Sequence, residues 1–364
     1  MGGLRKIPDG PLRDGFTTGT SATAAAKGAL VSIIEQTQQK KVKVHLPIDK
    51  ILEIPIHSNQ FTLDWASCSV IKDAGDDPDV TNGAEVGCEI QLTEAKEIKF
   101  VAGEGVGTVT LPGLQLNVGE PAINPVPRQM IQAAIQKLLH NFDLECGVIV
   151  SVFVIDGKKL AKKTLNERVG VMNGLSILGT SGIVKPYSSS SYIASIEQGI
   201  DVAIATGATE LVINSGARSE KYIKSLFPNL TEQSFVHYGN WIGETLVKIK
   251  DSKIKHVTIG IMLGKAVKLA YGRTDTHSCV SSWNKEFIIE LALACGYAET
   301  VKNQILELNM AGRLIEVFPF NQTEKFYQAV LHECYKHTKV VINQTQLNIY
   351  LIGKNGEFIK YKKQ

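Results

Sequence analysis

The pattern of apolar and polar positions changes near residue 170. Before it, apolar residues alternate with polar ones in 41–46, 51–57, 97–102 and 147–155, the period of strands with one buried face. Two helical stretches interrupt them. One is alanine-rich, opens on Thr17-Thr18-Gly19-Thr20-Ser21 and runs to about Ile34; the other covers 124–139 and is entered through Pro125 and Pro127. Beyond 170, short apolar runs stop at glycine turns and lead into helical stretches. Residues 175–178 run into Gly179-Thr180-Ser181-Gly182, 211–214 into Ser215-Gly216-Ala217-Arg218, 235–238 into Gly239-Asn240, and 257–263 into Gly264-Lys265. Strand, turn and helix in succession specify a parallel sheet with helices on its faces. The pattern predicts two domains: an N-terminal α+β domain over 1–168, ending in the polar stretch 158–169, and a C-terminal doubly wound, mostly parallel α/β domain over 169–364.

In such sheets ligands sit at the carboxyl ends of the strands. A small-molecule site is therefore expected among Gly179, Thr180, Ser181 and Gly182, with Asn214, Gly216, Gly239 and Asn240 on neighbouring turns. Glycines let the backbone approach a ligand, and amides at a turn can face an anion. At the other end of the chain, Thr17, Thr18, Thr20 and Ser21 crowd the positive end of a helix, where one hydroxyl would suffice as a cap. They bind an anion or form a redundant cap. Gly103, Gly105 and Gly107 lie between two strand-like stretches, so the helix of a dinucleotide fingerprint is missing. They form a hairpin or a ligand-facing loop. The proline-stiffened connector after them holds Arg128, a carboxylate clamp or a surface arginine.

Composition adds limits. Of 364 residues 44% are hydrophobic and 21% charged, an ordinary globular balance. Thirty-nine basic against thirty-six acidic residues give +3, too near neutrality to announce a nucleic-acid partner. No apolar run reaches the ~18 residues of a membrane span, and the polar start lacks a signal-like apolar region, so a cytoplasmic enzyme or binding protein is expected. Cysteines at 68, 88, 146, 279, 295 and 334 show no metal or disulfide spacing. The lysines at 158–159 and 162–163 read as solvated loop, and those at 360, 362 and 363 as a mobile end.

Three apparent motifs fail on chemistry. Residues 260–266 resemble a phosphate-binding loop but are one residue short, with Ala266 where a metal-binding hydroxyl belongs. His332 and His337 stand about 140° apart on a helix. Asp73, Asp76, Asp77 and Asp79 suggest calcium, but Pro78 and Ala84 occupy positions that need Gly and Glu. They form a polar loop, or one of them orients a cationic ligand or takes a proton. Asp275-Thr276-His277-Ser278 cannot converge as a hydrolytic triad, yet it is the densest acid/base cluster of the second domain.

Together the blocks 15–20, 72–81, 103–107, 119–128, 175–186 and 275–278, in this order across most of the chain, resemble the cobalt-precorrin-5B C(1)-methyltransferase family of anaerobic cobalamin biosynthesis. The resemblance implies transfer of a methyl group from S-adenosylmethionine to ring carbon C-1 of a tetrapyrrole. Cobalt would come with the substrate, and no protein-held metal is expected. The substrate's carboxylate arms would suit Thr17, Thr18, Thr20, Ser21, Gly103, Gly105, Gly107, Arg128 and Arg218. The donor would lie at Gly179 to Gly182, Asn214, Gly216, Gly239 and Asn240. His277 with Asp275 would assist proton removal or orient the substrate. Ser21 and Asn82 depart from the cysteine and histidine common in the family, and a hydrogen-bonding role survives both changes. An NAD-dependent oxidoreductase and a non-catalytic RNA-binding protein are the rival readings; neither the oligomeric state nor a protein partner is legible.

Overall fold

The computed structural model describes residues 10–277 and 282–363, and its contacts divide the chain into two compact units, Met1–Ser189 and Ser190–Gln364.

The first unit begins with β1 (Gly15–Phe16), α1 (Thr18–Glu35), β2 (Lys41–His45), β3 (Ile51–Pro55), β4 (Ser58–Phe61) and β5 (Trp65–Ile71). It continues through β6 (Glu85–Thr93), β7 (Ile98–Ala102), β8 (Thr108–Val109), α2 (Pro125–Asn141), β9 (Gly147–Val154), α3 (Gly157–Ala161), β10 (Val171–Met172) and β11 (Ile183–Val184). A five-stranded sheet has the order β4-β5-β6-β9-β7. Its pairings are antiparallel except β7 with β9, the parallel pair that α2 connects. Alternation in β9 sends Val148, Val150, Val152 and Val154 into the core, where they meet Ile131, Ile135 and Leu138 of α2. Helix α1 packs beside α2 on the same core through Ala22, Ala25, Ala26 and Ala29, side chains small enough for close approach. The helix ends where Gln36 turns left-handed, with φ 49°.

The 72–82 loop is stitched by its carboxylates. Asp73 takes the Arg13 guanidinium, Asp76 the Arg13 backbone N–H and Asp77 the Tyr187 N–H. Asp79 faces the Lys72 ammonium at 2.8 Å and accepts from the Thr81 amide and hydroxyl. Asn82 Oδ1 receives the Ala74 N–H at 2.9 Å. Each of the four carboxylates therefore already has a donor within its own unit.

The segment 175–178 is not a strand of the second unit's sheet. Leu175 and Ile177 bridge Val106 and Ile123, and β11 pairs antiparallel with β1. The boundary accordingly falls after Ser189, some twenty residues later than the polar stretch 158–169 suggested. The backbone groups of 175–183 find their partners in the 103–123 loop and at the start of α1, which ties this segment to the first unit.

The second unit contains α4 (Ser189–Ala205), β12 (Glu210–Asn214), α5 (Ala217–Ile223), β13 (Phe235–His237), α6 (Ile242–Lys250), β14 (His256–Met262) and α7 (Leu263–Ala270). After these come α8 (Lys285–Ala294), α9 (Thr300–Glu307), α10 (Lys325–Val341), β15 (Gln346–Ile352) and β16 (Phe358–Lys360). The sheet order is β13-β12-β14-β15-β16, parallel apart from the β15–β16 hairpin. Leu211 and Ile213 enter a core with residues of α4, α6, α7 and α10, whereas Val212 packs with Ile223, Phe235 and Ile352. Both faces are thus covered, as continuous apolar strands require. Three of the four expected strand-turn units are present as β12, β13 and β14. The tail is no mobile end: Lys360 closes β16, and the Lys362 N–H donates to Gln328 at 3.0 Å.

Lys72 is 1% exposed, so its charge depends on Asp79. Burial pushes the Asp79 carboxyl up, but Lys72 and Thr81 more than reverse this and leave it below the usual range. A depressed folded pKa stabilises above about pH 4 and loses that contribution as pH falls through the folded value. Asp79→Asn should lower the unfolding free energy by about 3 kcal/mol at neutral pH, measured by urea titration. The difference from the parent should shrink in acid.

Candidate functional site

The second unit's strand order, read within its sheet, is 2-1-3-4-5, whose ligand crevice opens at the carboxyl ends of the first and third strands. These are β12 and β14. Asn214 ends β12 and is fully buried. Its Oδ1 accepts from Gly216 N–H at 3.0 Å and from the Ser219 hydroxyl at 3.2 Å, while its Nδ2 finds no partner. A buried donor without an acceptor costs ~1–3 kcal/mol, and here it sits where the fold places ligands. Two residues on, a Cβ at Gly216 (φ +146°) would meet nothing within 4 Å; the same holds at Gly264, in the first turn of α7 after β14.

Gly239 follows β13 and has another task. Its φ is +59°, and a Cβ there would strike the Tyr192 ring at 2.7 Å; that ring packs on Trp241 with centroids 4.5 Å apart and planes tilted by 36°. Next to it, Asn240 Oδ1 accepts from the Lys265 ammonium, which also donates to the Thr276 hydroxyl at 3.0 Å. Thr276 is tied back by its N–H to the Asn240 carbonyl at 2.9 Å. Burial pushes the Lys265 ammonium down to about 8; the Lys268 charge adds to this and Asp275 opposes it. An ammonium has three N–H donors, and these two bonds leave one for a ligand. Measured against a phosphate-binding loop, Lys265 failed; the signal that finds it is its position directly after the glycine that follows the third strand.

Residues 275–277 do lie beside this group, through the bridge from Asp275 to Trp241. Within them, Asp275 Oδ1 accepts the His277 backbone N–H at 2.9 Å. Lys268 crosses the same segment, donating to the Thr276 carbonyl at 3.1 Å. Ser278 lies outside the described residues. Arg218 is exposed and donates to the Lys354 carbonyl at 3.2 Å. The sequence reading missed a buried pair at the end of β13, His237 Nε2 to Glu220 Oε2 at 2.5 Å.

In the first unit, two motifs expected to bind ligands bind each other. Thr18 Oγ1 accepts from Leu178 N–H at 2.9 Å and donates to Leu178 O at 3.2 Å. Thr20 Oγ1 donates to Gly182 O at 2.8 Å, Thr17 Oγ1 caps Thr20 N–H at 3.1 Å, and Ser21 Oγ donates to Thr17 O at 3.0 Å. A Cβ at Gly179 would hit the Thr17 side chain at 2.4 Å, and one at Gly182 the Leu46 side chain at 2.7 Å. The turn therefore closes over the helix start, and Thr17, Thr18, Thr20 and Ser21 are all buried. Residues 179–182 therefore do not follow a strand of the parallel sheet, and the hydroxyls of Thr17, Thr18, Thr20 and Ser21 are engaged within the protein.

The remaining expectations also change. Gly105 packs against Val154 O, Gly157 and Gly174, with a virtual Cβ at 2.1 Å from the first. Gly103 and Gly107 are similarly confined by Val152 O and Val171. Arg128 holds the chain's own Glu120 at 2.9 Å and donates to the carbonyls of Ile123 and Pro121. It clamps a carboxylate, but an internal one.

A CbiD family model matches residues 6–186. A cobalt-precorrin-5B C(1)-methyltransferase of Prosthecochloris aestuarii is 46% identical over 329 residues, 89% of each chain. One of Priestia megaterium is 38% identical over 91% of each. Among solved structures, a cobalamin biosynthesis protein (cbiD) from Archaeoglobus fulgidus is 31% identical, with a TM-score of 0.40 over 74% of this chain and 83% of that one.

Thr20→Val removes a buried donor from Gly182 O. It should cost about 1–2 kcal/mol of stability with no ligand present, read as a lower urea midpoint.

Proposed function

Because the chain belongs to the cobalt-precorrin-5B C(1)-methyltransferase family, we propose that it methylates carbon C-1 of cobalt-precorrin-5B, with S-adenosylmethionine as donor bound in the β12/β14 crevice of the second unit. The observation that carries the placement is the orphaned Asn214 Nδ2 at the carboxyl end of β12, the strand that borders the crevice expected from the sheet order. When bound, the donor would supply a methyl group on a sulfonium; the macrocycle's conjugated electrons would form the new carbon–carbon bond as the carbon–sulfur bond breaks to a neutral thioether, and the positive charge passed to the ring would leave with a ring proton.

What remains for the protein is mainly positioning, which can supply ~7–11 kcal/mol of a barrier. Asn214 Nδ2 offers a donor to an acceptor on the adenosine part. Lys265, already fixed by Asn240 and Thr276, offers its third N–H to the methionyl carboxylate, a charge-assisted bond. Gly216 and Gly264 leave room for the ligand. Asp275, through its bond to the His277 N–H, sets the loop that carries Thr276 to Lys265. His277 is the imidazole within that loop, and we retain it as an orienting group.

Incubation with methyl-labelled S-adenosylmethionine and the cobalt-precorrin pool should yield a corrinoid heavier by one methyl group, with the label on C-1. A product labelled elsewhere, or none, would defeat the reading. Gly264→Leu adds a Cβ that meets nothing within 4 Å on ordinary helical backbone, so the thermal midpoint should hold while donor affinity in calorimetry falls at least ~10-fold, or about 1.4 kcal/mol. Lys265 binds a carboxylate only when protonated. Donor affinity should therefore decline as pH rises through about 8, and Lys265→Met should flatten that profile as well as weaken binding.

A further inference from the structure

Two grooves stand out, one in each unit. That of the second, about 710 Å³, is bordered by Glu290 and Glu333 as well as Lys325 and Lys362, and so selects no charge. That of the first, about 590 Å³, runs between α1, α2 and β2, a size usual for small-molecule sites. Its floor is apolar: Val44 and Leu46 of the β2 segment, and Val126, Met130 and Leu138 of α2. Its rim carries Lys27, Lys43, His45 and Lys137, and no lining residue is acidic.

The rim is only partly balanced from within: Glu53 lies opposite Lys43 across the β2–β3 pair, though its hydrogen bond goes to Lys41. Among the described residues no ion pair involves Lys27, Lys43 or Lys137. Lys27 donates instead to the Lys43 carbonyl at 2.7 Å. Burial, then the charges of Lys137 and Lys43, push its ammonium below the usual lysine range. Like charges gathered in a lining that holds no acidic residue reduce stability, and local conflicts of this kind gather at functional sites. An apolar floor under a cationic rim fits a flat ring that bears several carboxylates.

We propose that this groove seats one edge of the tetrapyrrole substrate, with Lys27, Lys43, His45 and Lys137 receiving its carboxylate arms. The assignment rests on the reaction above for its choice of ligand. It replaces the Thr17 to Ser21 helix start and Arg128, whose polar groups are engaged within the protein. Thr180, exposed at the groove's edge, keeps a place beside the substrate.

The probe is uroporphyrin, a stable polycarboxylate tetrapyrrole, whose binding to the full chain is read by fluorescence quenching. The parent should bind it, more weakly as salt rises. A K27Q/K43Q/K137Q variant should bind at least ~10-fold more weakly and keep its affinity for S-adenosylmethionine. Its thermal midpoint should hold or rise, because repulsion is removed; a structural role for the lysines would lower it. An Ala133→Glu variant, which adds a negative charge to the exposed part of the same lining, should weaken binding in the same way. Parent-like affinity in these variants, or no binding by the parent, overturns the assignment. The labelled-methyl assay on the parent separates the two ideas: methyl transfer with uroporphyrin binding unchanged in the variants sinks the groove alone, and no transfer at C-1 sinks the reaction.

Discussion

The closure of the 178–182 turn over the start of α1 is the constraint on which the first unit depends. It joins residues 160 apart in sequence through the Thr18 hydroxyl, used as both donor and acceptor, and through Thr20. A helix start has unpaired N–H groups, and the Gly19 N–H is answered here by Leu178 O at 3.0 Å. With its start fixed, α1 lies across β5 and β6 on an alanine face that tolerates little displacement. Ten residues beyond Thr17, about 15 Å along the axis, the same helix delivers Lys27 to the groove. The loop closure, the packing of α1 and the cationic rim are thus consecutive consequences of one set of hydrogen bonds.

Much of this was legible where period and burial agree. β2, β3, β7 and β9 alternate clearly, and α1 and α2 carry their caps and prolines in sequence. β5 was harder to see, because Cys68, Ser69 and Val70 are all buried and the two-residue period is lost. The 175–182 segment misled for a different physical reason. An apolar run stopping at Gly-Thr-Ser-Gly has the same local form whether its turn leads from a parallel strand or closes on a distant helix end; only the partner distinguishes them. β15 was missed because a hairpin follows it, through Gly356 at φ +93°, in place of the glycine turn and helix that marked its neighbours.

The sites divide along similar lines. Asn214, Gly216 and Asn240 could be proposed from the sequence because the position of a crevice in a parallel sheet follows from strand order alone. Lys265 required the depth of its surroundings, which no spacing reports. Lys27, Lys43, His45 and Lys137 come from α1, β2 and α2, and each by itself is an unremarkable polar side chain. Their meaning lies in a convergence that only the fold creates.

Unmet demand, more than the density of polar groups, separates function from structure in this chain. The helix start has four hydroxyls and a dipole, the richest cluster in the sequence, yet its hydroxyls are engaged in hydrogen bonds within the unit and removing one should simply loosen the fold. Asn214 is less conspicuous, but half its amide is satisfied and half is not. The satisfied half fixes the orientation of the orphaned half, so on the proposed placement the dry Nδ2 is a donor already aimed before a ligand arrives. The lysine rim follows the same logic with charge: repulsion that the folded chain tolerates when empty is relieved when carboxylates arrive, and that relief adds to the affinity for a polyanion. On the proposed assignment a neutral ring of the same shape would gain the apolar floor alone, and the excess of positive charge in the lining would favour carboxylate-bearing macrocycles.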